Sequence, residues 1–310
     1  MAISENPLQP VSPANVLREI TDAVPEDCHK FMIIIGSLAV GFHYFGSRSE
    51  MVVRTKDADC LLSPRVEAVP VGILITERLI DEGWEISDEG RWGTPGDKST
   101  PDDKLPAVRL RPPGISDWFI ELLTVPATPH DDGKNWVRIE TKLGHFGLCC
   151  FRFLSLTDFL PILTDMGLFV ARPEMMALAN LLEHPEIKLN TMLSGFAGRP
   201  DIKRSNKDLG RVIAISWLAT DRDEDALLSW VAMWEEALKD RFPDEWIQLA
   251  RRTGSGLREL LESPEDLEQA HHTCVMGLLA SKALTMDEFK IAGERLLLDA
   301  VEPLEKLILK

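Results

Sequence analysis

Cysteine is scarce and carries no pairing pattern. Cys28, Cys60, Cys149, Cys150 and Cys274 form an odd set without a C-x-x-C spacing, which excludes a disulfide framework and predicts reduced thiols in a cytoplasmic protein. A hydrophobic run of membrane-spanning length is missing as well. The longest stretch without formal charge, residues 31–47, is broken by Gly36, Ser37, Gly41, His43, Gly46 and Ser47, so it reads as a short strand and a following helix. Residues 1–13 are polar and proline-spaced and lack the apolar core of a signal peptide. Positive charge is also in short supply: 34 Lys and Arg against 50 Asp and Glu leave a net charge of −16. A chain this acidic does not coat DNA or a membrane surface indiscriminately, although a local basic groove stays open to it. There is no internal repeat and no low-complexity tract, which excludes solenoids and linker-like chains.

What is present is ample core material, with 45% of the 310 residues hydrophobic. A single core rarely grows past about 250 residues, so two domains are expected. Ser12-Pro13 reads as an N-cap and first-turn proline ahead of an amphipathic helix. Residues 31–35 form an apolar β-branched run, hence a buried strand, and Gly36-Ser37 separates it from a helix over 38–45. A second strand is expected from about Asp57 to Leu62 and a helix over 69–84, followed by a polar Gly/Pro-rich loop over 90–106. Strands are predicted over 107–111, 118–125, 136–142 and 147–153. From Ser155 on, no strand is expected. Helices are predicted over 172–184, 203–219, 225–241, 264–282 and 286–309. The fold class is therefore α+β: a small mixed sheet with flanking helices over 1–153, then an all-helical domain over 154–310.

Two features carry chemistry. Gly36-Ser37 lies between a buried strand and a helix, where a glycine admits close approach of a ligand and a helix N-terminus offers N–H groups to phosphate. Asp57 and Asp59 stand two apart on the next strand and so project to the same side. Two carboxylates held that close repel unless a cation lies between them, and Mg²⁺ prefers oxygen ligands. Glu121 is a lone acid inside the apolar strand W-F-I-E-L-L-T, where a metal would relieve the cost of burying its charge. A partnership with Arg109 or Arg111 across the Pro112-Pro113-Gly114 connection is the other reading of Glu121.

The series G-S, then R-T-K-D-A-D, then a lone acid in a hydrophobic strand resembles the nucleotidyltransferase fold of the DNA polymerase beta-like superfamily, and within it the bacterial abortive-infection and toxin–antitoxin type. The resemblance implies that Asp57, Asp59 and Glu121 are catalytic and hold two Mg²⁺ ions, with Mn²⁺ an alternative. It also implies that Gly36, Ser37 and Arg54 meet the NTP. In the second half, the run M-G-L-F-V-A-R-P-E before an Ala-rich helix resembles the opening of the family's helical domain. Lys203, Lys207 and Asp208 in K-R-S-N-K-D-L resemble its nucleotide-facing basic helix. Asn180 stands where the family usually has Lys, and Glu121 where Asp is commoner. The implied reaction moves an NMP from an NTP to a hydroxyl on an RNA 3′ end, a protein side chain or a small molecule. The other reading is a weak or silent binding module of the same fold, working with a cognate antitoxin or partner protein in a toxin–antitoxin or phage-defence system.

Other groups read both ways or blandly. Lys188, Arg199, Lys203, Arg204, Lys207 and Arg211 outnumber Asp201 and Asp208 over 188–211. They form either a phosphate-facing groove or an exposed helix paired with the acidic segment 221–245. His271-His272 with Cys274 point to different sides of a helix and are not expected to hold zinc. Trp217, Trp230, Trp234 and Trp246 suit helix packing.

Overall fold

The computed structural model describes residues 9–46, 48, 50–87, 94–114, 118–128, 134–183, 192–196 and 199–307, with backbone alone for 134, 194–196 and 199–201. The chain divides into two compact units: Val11–Glu50 with Thr55–Arg172, and Met1–Pro10 with Met51–Arg54 and Pro173–Lys310.

The first unit is a sheet with helices on its faces. After the short strand β1 (Pro10–Val11), helix α1 (Pro13–Ala23) opens with Pro13 at its first position and buries Val16, Leu17 and Ile20. The single turn α2 (Glu26–His29) leads into β2 (Met32–Ile34), buried throughout as its apolar run requires. Helix α3 (Gly36–Phe45) follows at once, and the chain visits the second unit as β3 (Val53–Arg54). It returns as β4 (Asp57–Leu62), then α4 (Arg65–Asp81), β5 (Glu85–Ile86), β6 (Arg109–Arg111) and β7 (Phe119–Thr124). The hairpin β8 (Lys134–Thr141) and β9 (Gly144–Phe151), the turn α5 (Leu154–Thr157), β10 (Ile162–Leu163) and β11 (Phe169–Val170) complete the unit.

All of these strands except β1 and β3 form one nine-stranded mixed sheet in the order β10-β11-β2-β4-β7-β6-β5, with β9 also on β7 and β8 on β9. Strand β4 runs antiparallel to β2 and parallel to β7. Helix α4 packs closely on the face that carries Leu62 and Leu148: a Cβ on Gly72 would stand 3.3 Å from Leu62 Cδ1 and 3.4 Å from Leu148 Cδ1. The opposite face carries Asp57 and Asp59. In the loop before β6, Arg138 Nε donates to Asp102 Oδ1 (2.8 Å) and its Nη1 donates to the carbonyl of Asp97 (3.1 Å), tying the loop to β8.

The second unit is mostly helical. It contains α6 (Pro173–Glu183), the hairpin β12 (Met192–Phe196) and β13 (Arg199–Lys203), α7 (Arg204–Arg222), α8 (Ala226–Arg241), α9 (Trp246–Arg252), α10 (Ser255–Glu262) and α11 (Pro264–Val275). Helix α12 (Met286–Leu296) starts on a capping box between Thr285 and Glu288, widens into a π-helical turn at Leu297–Val301 and resumes as α13 (Glu302–Leu307). Its core is built on Trp234, Phe242, Phe289 and the inner face of α7. Trp230 and Trp234 pack ring on ring at 5.6 Å, and Trp234 Nε1 donates to the carbonyl of Glu174. Among the described residues no helix is long and apolar enough to cross a membrane.

Two expectations from the sequence need correction. Strands do occur after Ser155: β10 and β11 extend the main sheet, and β12–β13 forms a hairpin in the helical half. Two-residue strands leave no alternation to detect, and Gly195 and Pro200 weaken the strand pattern of the hairpin. The units also divide at Arg172, where the sequence pattern predicts a division at 153: β11 pairs in parallel with β2 and keeps 154–172 with the sheet. Part of the polar loop (90–93), together with Ser47 and Lys188, lies outside the described residues.

Candidate functional site

The site is assembled where β2 turns into α3 beside Asp59 of β4. The Ile35 N–H donates to the carbonyl of Asp59 (2.9 Å), and the next residue, Gly36, turns the chain into the helix with φ of +73°. That left-handed conformation favours glycine. A second constraint is spatial: a Cβ on Gly36 would lie 2.8 Å from Asp59 Oδ2. The Asp59 carboxylate therefore rests against the first residue of a ten-residue helix, on the end where the helix dipole favours negative charge. Ser37 follows, partly exposed, in the first turn.

Register brings the acids together. In the parallel β4–β7 pair, Asp57 aligns with Phe119 and Asp59 with Glu121. In the antiparallel β6–β7 pair, Glu121 aligns with Arg109. Aligned residues share a face, so Asp59, Glu121 and Arg109 form a row across three strands, with Asp57 one step along β4. Thr55 Oγ1 donates to Asp57 Oδ1 (2.9 Å), fixing that carboxylate at the head of its strand. Burial pushes the Cys60 thiol well above its ordinary pKa, and the neighbouring Asp59 charge pushes it further.

Glu121 is only 7% exposed and has a counter-charge. Arg109 donates to its Oε2 from Nε (2.8 Å) and from Nη2 (2.7 Å). The same guanidinium lies over the Phe119 ring at 5.0 Å. Of the two arginines open to Glu121 from sequence, the register selects Arg109 and aligns Arg111 with Glu85 instead. The donor set suits a hard cation in being all oxygen, and Asp57 and Asp59 share one side of one strand. Among the described residues, however, no group of three or more His, Cys, Asp or Glu side chains is gathered at metal-holding separation.

The remaining sequence candidates belong to the second unit. The Arg54 N–H donates to the carbonyl of Gly277 (3.0 Å). Lys203 Nζ donates to Asp266 Oδ1 (2.7 Å) and Oδ2 (3.0 Å), and Asn206 Nδ2 donates to Asp266 Oδ1 and Gln269 Oε1. Burial pushes the Asp266 carboxyl up, but these donors, Ser263 and the Lys203 charge outweigh it and hold the carboxyl below its ordinary value. Lys203 thus ties α7 to α11, not to the acidic segment 221–245. Arg204 Nε lies 3.4 Å from Asp208 Oδ2 one turn on. Lys207 and Asn180 are partly exposed on α7 and α6. Asp266 escapes a reading of the sequence alone, though Ser263-Pro264 marks the helix start at which it sits. His271 Nε2 pairs with the carbonyl of Leu284 (2.8 Å), in keeping with a packing role. Comparison with protein-family models, curated proteins and solved structures finds no match to this chain.

Proposed function

We propose that this protein is a Mg²⁺-dependent nucleotidyltransferase that moves an NMP from an NTP to an acceptor hydroxyl on RNA, a protein or a small molecule. One observation carries the reading: Asp57, Asp59 and Glu121 share one face of the sheet in register, beneath a glycine-opened helix N-terminus whose first Cα faces the Asp59 carboxylate. Asp57, Asp59 and Glu121 would hold the divalent ions, which when bound supply charge to the attacking hydroxyl and the departing pyrophosphate. Gly36 leaves room at the helix start, so that α3 N–H groups and the Ser37 hydroxyl can hold phosphate oxygens. Thr55 keeps Asp57 oriented through its hydroxyl, and Arg109 gives the buried acid on β7 a counter-charge.

The same ion pair favours a second reading. A Glu121 already balanced by Arg109 has no need of a metal, as expected of a silent binding module of this fold acting with a partner protein. Incubation with α-labelled NTPs, Mg²⁺ and cellular RNA and protein separates the two. Incorporation that disappears on Asp57→Asn with Asp59→Asn supports the enzyme. Label that persists in that variant removes the assignment, and a wild-type protein that incorporates nothing but melts higher with NTP and Mg²⁺ favours the module.

A further inference from the structure

We propose that Arg109 is a positioning residue that acts through Glu121 and sets how much negative charge the site presents to a divalent cation. The inference rests on the nucleotidyltransferase reading. Asp57, Asp59 and Glu121 place three carboxylates on one face, and Arg109 returns one positive charge to the same face. Its Nε and Nη2 both reach one oxygen of Glu121, at 2.8 and 2.7 Å. The guanidinium is held there on two further sides: its strand is in register with β7, and its central carbon lies over the Phe119 ring at 5.0 Å. With the Arg109 and Glu121 side chains only 20% and 10% exposed, water screens the pair poorly. A cation approaching Glu121 therefore meets a fixed positive charge that also holds one of the carboxylate's oxygens. Arg109 lowers the site's affinity for a free divalent ion while sparing Glu121 the cost of burial without a counter-charge.

The test is Mn²⁺ binding to the full chain without nucleotide, read by the electron-spin resonance of the free ion. Unit charges a few ångström apart at a poorly screened site interact by more than the thermal energy, so neutralising one of them changes a divalent ion's affinity by about tenfold or more. Arg109→Gln, which keeps an N–H donor, is expected to tighten Mn²⁺ at least about tenfold. Arg109→Lys is expected to stay close to the wild type because it keeps the charge. Glu121→Gln should weaken binding, and Arg109→Gln with Glu121→Gln should bring it back toward the wild type, since the two neutralised charges cancel. If Arg109→Gln does not fold, the comparison of Glu121→Gln with the double variant carries the test: tighter binding by the double variant supports the proposal, and equal binding overturns it. An Arg109→Gln protein that melts normally and binds Mn²⁺ like the wild type also overturns it. If that happens while Asp57→Asn with Asp59→Asn abolishes binding, the inference alone fails. Mn²⁺ binding that is indifferent to the two aspartates overturns the metal reading along with it.

Discussion

Gly36→Ala probes the closest approach in the site, and its cost divides into two parts. The backbone part arises from φ of +73°: a non-glycine residue held in the left-handed region loses about 1–2 kcal/mol. The steric part arises because the new methyl would stand 2.8 Å from Asp59 Oδ2, so that the carboxylate must rotate away. Forcing a side chain some 30° off its rotamer costs about 0.5–1.5 kcal/mol. The expected loss is the sum, about 1.5–3.5 kcal/mol, measured by urea denaturation followed through tryptophan fluorescence. The two parts separate in a double-mutant cycle with Asp59→Ala. Without the carboxylate the clash vanishes and the φ penalty stays, so the coupling between the two changes should be about 0.5–1.5 kcal/mol. On the nucleotidyltransferase reading proposed above, NTP incorporation should also fall in Gly36→Ala, because Asp59 is pushed from its position on the row with Glu121. A loss below about 0.5 kcal/mol, or additivity of the two substitutions, would refute the reasoning.

Two further outcomes follow from the cysteines and from Asp266. All five cysteines are buried, and burial pushes the Cys274 thiol up to about 12 and Cys60 well above its ordinary value. A thiol reagent at pH 8 should therefore label none of them rapidly in the folded protein and all five in denaturant; fast labelling of the native chain would contradict the packing. Asp266 is held below its ordinary pKa, so its ionised form stabilises the fold at pH values above the unfolded carboxylate value of about 3.9, and that contribution is lost as pH falls through the lower folded value. Asp266→Asn should lower the melting temperature at pH 7 and bring it close to the wild type near pH 2; an equal deficit at both pH values would mean that the charge is not what matters.

Local signals were legible and long-range ones were not. The alternation of Asp57 and Asp59 and the break at Gly36-Ser37 can be read from a few consecutive residues, because strand alternation and the turn into a helix are fixed within a few peptide units. The alignment of Asp59 with Glu121 on one face of the sheet depends on a parallel register between strands far apart in sequence. The choice of Arg109 over Arg111 depends on the register of β6 in the same way: a slip of two residues along the strand would have set Arg111 opposite Glu121. The hidden strands β10 and β11 are a third case. The two residues of β11 pair with the edge of β2, and the two of β10 pair in turn with β11.

The visit of β3 to the second unit has a consequence for taking the protein apart. Within Met51–Arg54, the Val52 N–H donates to Ser281 Oγ (2.8 Å), the Ser281 hydroxyl donates to the Val52 carbonyl (2.7 Å), and the Arg54 N–H donates to Gly277. The next residues are Thr55, Lys56 and Asp57. A chain truncated after Arg172 would keep Met51–Arg54 and lose every one of those partners, so the sheet unit cannot be excised by a single cut. The chain changes units four times, after Pro10, Glu50, Arg54 and Arg172. In gene terms, the two halves are not exchangeable cassettes: recombination could swap the helical half only by also rewriting the residues that lead directly into the aspartate strand.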